Sequence, residues 1–157
     1  MTPREARNGP VADALLLLPA KMSSPQAELM LLAIGLQESR LTHRRQIGGP
    51  ARGLWQFERG GGVAGVLRHA ASREHALIVC DARRVVPVPE QVYQRLEHDD
   101  VLAAAFARLL LYTDPARLPA LGEVGASWDL YLRTWRPGKP HRHTWDALYA
   151  QALEAVQ

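Results

Sequence analysis

The chain has 157 residues, 47% hydrophobic and 22% charged, the balance of an ordinary soluble globular protein with enough length to bury one core. Collagenous and disordered classes are excluded, and no apolar run reaches the roughly 20 residues that a membrane-spanning helix needs. The formal net charge is +3, carried by 19 cationic side chains that are all arginine except Lys21 and Lys139; it favours polyanionic surroundings, but its even spread names no partner.

Residues 1–10 are polar and read as loose, and 11–18 as a short first helix. Arg4 and Arg7 ahead of the apolar stretch 14–20 imitate a secretion signal. Its apolar part is short and follows Pro10 and Asp13, so it reads as mature protein with no signal peptide. Ser24 then Pro25 is a helix start, with an oxygen to cap free amides and a proline at the first helical position. Glu28 falls in the opening turn, where a solvated acid suits the helix dipole. Residues 29–36 carry no polar side chain, and a helix apolar on all faces belongs inside a domain. Gly35 in that run costs about 1 kcal/mol relative to alanine, which predicts a neighbour packed closely against it. The helix ends on Gln37, Glu38 and Ser39.

A loop over 42–52 leads to Gly53-Leu54-Trp55-Gln56-Phe57, and Arg59-Gly60-Gly61-Gly62 breaks whatever precedes it. Residues 63–79 read as one amphipathic helix through Val63, Val66, Leu67, Ala70 and Leu77. The two prolines in 83–89 argue for an extended loop, and 90–96 for a turn or two of helix. Asp99 or Asp100 caps a helix with Val101, Leu102, Ala105, Phe106, Leu109 and Leu110 at helical spacing. Asp114-Pro115 ends it. A helix over 121–135 presents Val124, Trp128, Tyr131 and Leu132, the segment 135–140 is a rigid loop, and Thr144 caps a last helix bearing Trp145, Leu148, Tyr149 and Leu153. The expectation is an all-α single domain over 1–157, six to eight helices around the central one.

The chemistry concentrates at Glu38. A carboxylate carried to the edge of the core by the most hydrophobic helix is expensive to ionise, so its pKa is expected to rise and Glu38 to be a protonated acid near neutral pH. Fifteen residues on, Gly53-Leu54-Trp55-Gln56 brings an aromatic and an amide back toward it, as the wall of a groove. For a second acid the candidates are Glu58, Asp81, Asp99, Asp100 and Asp129, none with a motif behind it, and Glu58 reads as a solvated partner of Arg59. Cys80 is the only cysteine, so no intrachain disulfide forms, and its apolar surroundings predict an inert thiol. The six histidines lack zinc-site spacing, and no phosphate-binding loop, dinucleotide fingerprint or serine or cysteine nucleophile motif is present. No metal and no cofactor is expected.

Glu38-Ser39 followed at that spacing by Gly53-Leu54-Trp55-Gln56 resembles the E-S … G-L-M-Q signature of the lysozyme-like lytic transglycosylases, with Trp55 where the family usually has methionine. The resemblance covers about thirty residues. It implies a lysozyme-like helical fold and cleavage of the β-1,4 link between N-acetylmuramic acid and N-acetylglucosamine in peptidoglycan. It also implies Glu38 as the acid, with Ser39, Gly53, Leu54, Trp55 and Gln56 lining the substrate cleft. In that family one glutamate suffices, because the substrate's N-acetyl group and 6-hydroxyl trap the sugar as a 1,6-anhydro product; a hydrolytic muramidase is the alternative. The family's late-helix aromatic that leans on the acid, usually in A-Y-N, has Trp128 or Tyr131 as its best counterpart, although a core role for that stripe competes. The tail W-x-x-Y-x-x-x-W-R-P-G-K-P resembles small lysozyme-like proteins of tailed phages and prophages. Its implied partners are peptidoglycan glycan strands and other virion proteins, with synthesis in the host cytoplasm and action at the cell wall. Two rivals of other classes are a non-catalytic virion protein that grips glycan or partner subunits, and a basic nucleic-acid binder, the latter without any recognition motif.

Overall fold

The computed structural model describes residues 1–157, and its organising element is the helix α3, Pro25–Ser39. Ser24 Oγ accepts from Ala27 N at 3.0 Å, Pro25 fills the first position, and Leu29 to Leu36 are all buried. Glu28 is not simply solvated: Arg7 Nε donates to it at 2.7 Å while Arg7 Nη1 reaches Ala155 O at 3.0 Å. One acid in the first turn thus ties both ends of the chain to the central helix.

Eight further helices surround α3. The N-terminal pair, α1 (Pro3–Ala6) and α2 (Ala12–Leu16), joins through a widened turn at Arg7–Val11. Gly9 leaves helical geometry there because Pro10 cannot donate its backbone bond. The first residues are not loose: Thr2 Oγ1 accepts from Glu5 N and Glu5 Oε2 from Thr2 N, a reciprocal capping box written in the sequence as T-P-R-E.

The region 63–79 is two helices rather than one, α4 (Ala64–Arg68) and α5 (Arg73–Ala82). The chain turns at His69, which adopts extended geometry, and Ser72 Oγ bonds Val66 O at 2.7 Å across the break. The register changes with it. Ala76, Val79 and Cys80 face the core, and Leu77, expected there, is 51% exposed.

Next come α6 (Pro89–Leu96) and the buried α7 (Asp100–Tyr112). Asp99 is the cap, its Oδ1 accepting from Leu102 N at 3.0 Å while both its oxygens take the Arg83 fork. The last two helices are α8 (Val124–Trp135) and α9 (Arg142–Val156), and α9 packs along α3. His141 rather than Thr144 holds the cap position of α9; Thr144 Oγ1 instead donates to His141 O and meets Gln37 Oε1 at 3.0 Å. All nine helices border one continuous core of 42 buried residues. The eight around α3 fall within the expected six to eight, several of them short because glycine, proline and serine breaks divide the chain. There is no sheet, only isolated bridges among Arg45, Arg52 and Phe57.

Candidate functional site

The site is built from the C-terminal end of α3, the loop that follows, and α8. Helix α3 stops because Arg40 and Leu41 both take left-handed geometry, φ 57 and 53, a conformation that side chains resist unless held. Three contacts hold it. Arg40 Nη1 donates to Leu36 O at 2.7 Å, Leu41 N donates to Ser39 Oγ at 3.1 Å, and the Leu41 side chain is fully buried against Gly35. A methyl group on Gly35 would lie 2.6 Å from Leu41 Cδ2 and 3.3 Å from Trp55 Nε1. The missing side chain is what lets Trp55 reach the helix backbone and donate to Leu31 O at 2.8 Å.

Ser39 completes the join. Its hydroxyl donates to Leu54 O at 2.6 Å and lies 3.2 Å from Gly35 O. The Gly53–Phe57 turn is therefore fastened to the same helical turn that carries Glu38. Gly53 requires φ +78, and a methyl there would meet Leu96 O at 3.0 Å; the turn is wedged against α6 as well. Outside it, Arg44 makes a fork to Asp100 at 2.9 and 2.7 Å, and Arg45 one to Glu97 at 2.7 and 3.1 Å. Both arginines are exposed, so these pairs set the path of the loop more than they stabilise it.

Glu38 projects from this frame toward α8, where Tyr131 donates its hydroxyl to Glu38 Oε1 at 2.6 Å. The phenol is itself clamped: its ring stacks on Trp145 at 5.4 Å and 11° and lies 5.3 Å from Trp128. Burial pushes the Glu38 carboxyl up to about 7, against the opposing pull of the Tyr131 bond. Burial also pushes the Tyr131 phenol up, reinforced by the neighbouring Glu38 charge, so it stays a donor. Glu38 Oε2 has no protein partner and is not sealed from solvent. One oxygen is fixed; the other is free to exchange a proton.

The residues marked from sequence divide into three groups. Glu38 and Tyr131 meet directly. Ser39, Gly53, Leu54 and Trp55 converge on the same place, but all four are buried and the side chains of Ser39, Leu54 and Trp55 face inward: Leu54 is 0% exposed and Trp55 1%. The expected Trp55 wall is therefore a core support, because its indole is drawn to the α3 backbone through the gap at Gly35. Ser39 likewise uses its hydroxyl on backbone groups and positions the turn. Trp128 is 8% exposed, packed on Tyr131 and Trp145. Of the residues expected to line the cleft around Glu38, only Gln56 remains partly accessible, held at φ 53 with Nε2 donating to Gly53 O at 2.9 Å.

Two features were missed. Trp135, which enters the sequence reading only as the second tryptophan of the tail pattern, is the partly exposed aromatic here; its Nε1 donates to Trp55 O at 2.9 Å and its ring lies 6.3 Å from Tyr131 and 5.8 Å from Phe57. It stands at the end of α8 one turn beyond Tyr131, a spacing that could have flagged it. Gln37 was passed over as well. It bonds both His141 O and Thr144 Oγ1, pinning the basic α8–α9 loop beside the acid, and no local pattern announces contacts so distant in sequence.

The forces on Glu38 are burial and Tyr131; no second carboxylate contributes. Glu58 does not pair with Arg59 as expected, since Arg59 reaches Glu90 at 2.8 Å. Cys80 is buried and its thiol is pushed up to about 11 by burial, as fits an inert side chain. No group of three or more His, Cys, Asp or Glu residues is arranged to hold a metal ion. Seven arginines are taken up in carboxylate pairs, among them Arg7, Arg44, Arg83 and Arg133. No family model matches the chain, and neither a curated protein nor a solved structure does.

Proposed function

We propose that this chain is a peptidoglycan-cleaving enzyme of the lysozyme-like kind, cutting the link between N-acetylmuramic acid and N-acetylglucosamine as a lytic transglycosylase. The setting we propose is a phage or prophage, on the likeness of its tail segment noted above. The observation that carries the reading is Glu38: a lone carboxyl, raised to about 7 by burial, with one oxygen held by Tyr131 and the other open.

In this mechanism Glu38 Oε2 gives its proton to the glycosidic oxygen as the bond to C1 of the muramic sugar breaks. The leaving sugar departs as an alcohol, and positive charge develops at C1. The Glu38 carboxylate, steadied by Tyr131, then removes the proton of the substrate's own 6-hydroxyl while that oxygen closes on C1. The anhydro product forms without consuming water, and Glu38 ends protonated, ready to repeat. A pKa near the working pH suits a group that must act first as acid and then as base. The absence of a second carboxylate acting on Glu38 favours this course over a hydrolytic one that needs a partner acid.

Digestion of purified peptidoglycan followed by mass analysis tests it. Fragments lighter than hydrated muropeptides by one water support the transglycosylase, and hydrated fragments would make the protein a muramidase. Binding to the wall with no fragments released would leave only a glycan-gripping virion protein.

A further inference from the structure

Away from Glu38, a cleft of about 1230 Å³ lies beside the start of α3, the end of α7 and the loop 115–123, and neither Glu38 nor Tyr131 lines it. Its floor holds Arg108, a cation on the otherwise apolar helix α7, with only 7% of its surface exposed. Arg108 Nε donates to Met22 O at 2.9 Å, but neither Nη group has a protein partner and neither is sealed from solvent. They open into the cleft that the residue lines.

An arginine stays ionised in proteins, and a buried charge without a counter-charge is unfavourable. Here no carboxylate pairs with it. Asp114 on the rim is held by the Arg133 fork at 3.0 and 3.4 Å, and Glu123 and Asp129 stand at the exposed edge. A second cation reinforces the first: Lys21, also unpaired, places Nζ 5.7 Å from the Tyr112 ring centre, with Arg108 Cζ 5.8 Å from the same centre. Ser24 and Gln26 bring the positive end of the 15-residue helix α3 to the same wall. The only acid in its first turn, Glu28, is neutralised by Arg7. Met22, Leu111, Tyr112 and Leu118 supply apolar surface around these charges.

We propose that this cleft is a second binding site, for an oxyanion (a carboxylate or phosphate group) carried on a partly apolar body, with the Nη edge of Arg108 and Lys21 as its donors. A guanidinium edge matches two oxygens of either group in a planar pair, which an ammonium cannot do. The site stands apart from Glu38 and does not depend on the glycosidase reading.

The test is a nitrogen-15 NMR titration of the whole chain with sodium phosphate, acetate and hexanoate, against sodium chloride at equal ionic strength. The site predicts saturable shifts at the Arg108 Nε–H and at the Met22 and Tyr112 amides that chloride does not reproduce. Hexanoate binding more tightly than acetate identifies a carboxylate on an aliphatic body, and phosphate binding more tightly than both identifies a phosphoryl group. Arg108→Lys should weaken binding about tenfold by losing the fork, and Lys21→Ala, at an exposed position whose loss leaves the core intact, about threefold by losing a partly screened charge. Equal shifts with chloride, or Lys21→Ala binding as tightly as the parent, would overturn the proposal whether or not the Arg108 variant folds.

Discussion

Replacing Glu38 by glutamine retains the shape of the side chain and an acceptor for the Tyr131 hydroxyl, and removes the ionisable group. Below pH 4.5 the parent carboxyl is protonated in both folded and unfolded chains, so its ionisation does not affect folding. Between pH 4.5 and about 7 the unfolded chain releases the proton while the folded chain retains it, and folding loses free energy as pH rises. Above about 7 the full penalty is present. A displacement from 4.5 to about 7, at roughly 1.4 kcal/mol per pH unit, amounts to about 3 kcal/mol. The stability of Glu38→Gln minus that of the parent should therefore grow by about that much between pH 4 and pH 8, measured by urea unfolding at a series of pH values. Activity should move the opposite way: the variant folds and loses at least a hundredfold in wall clearance, since no other acid acts at the site. A stability difference that stays flat across this range would refute the desolvated carboxyl, and a variant that clears cell walls at the parental rate would refute its catalytic role.

The supporting residues give separable outcomes. Tyr131→Phe removes the bond that pulls the Glu38 pKa down, so the alkaline limb of the pH–rate profile should move to higher pH while the maximal rate falls about tenfold; an unmoved limb would separate Tyr131 from the titration. Ser39→Ala leaves the buried Leu54 carbonyl without its partner and Leu41 N–H with only its 3.3 Å bond to Gly35 O; it should cost about 1–3 kcal/mol by denaturant unfolding and, by loosening the frame, lower kcat and move that limb to lower pH. In Gly35→Ala the added methyl collides with Leu41 and the Trp55 indole. The helix-propensity gain of about 1 kcal/mol is outweighed by overpacking of about 1–3 kcal/mol, so a lower melting temperature and altered tryptophan fluorescence are expected, and a stabilised variant would show that the contact yields freely.

What was legible in the sequence is what local rules encode. The apolar run 29–36, Ser24-Pro25 and the helical spacing from Val101 to Leu110 each act within a few residues, and α3 and α7 appear where those rules place them. Tertiary effects decided the rest. The Trp55 indole could equally have faced a cleft, and it turned inward because Gly35 opened a route to the Leu31 carbonyl. The break at His69–Ser72 was hidden because Val63, Val66, Leu67 and Ala70 sustain a helical period up to it; the Ser72 bond to Val66 and the extended His69 appear only once α4 and α5 fold back together. Gln37 could not be singled out at all, since its partners His141 and Thr144 lie more than a hundred positions away.

The arrangement around Glu38 also explains why the acid can be strained and still be well placed. A carboxyl with a raised pKa is a local destabilisation, and such a group persists only when its backbone cannot move to relieve it. Here the relief routes are closed one by one. Unwinding the last turn of α3 would break the Ser39–Leu54 bond and expose Leu41; tilting the helix would pull Trp55 from Leu31; swinging the side chain would abandon Tyr131, whose ring is held by Trp145. The stability of the core is thereby transmitted to the single unfavourable group at its edge. It follows that variants loosening the frame should lower the Glu38 pKa toward 4.5 as solvent enters, even when they lie in residues that never touch it. A titration of Glu38 in Gly35→Ala, followed by carbon-13 NMR of the carboxyl, measures that coupling directly, and a pKa still at about 7 in a measurably destabilised variant would show that frame and acid are independent.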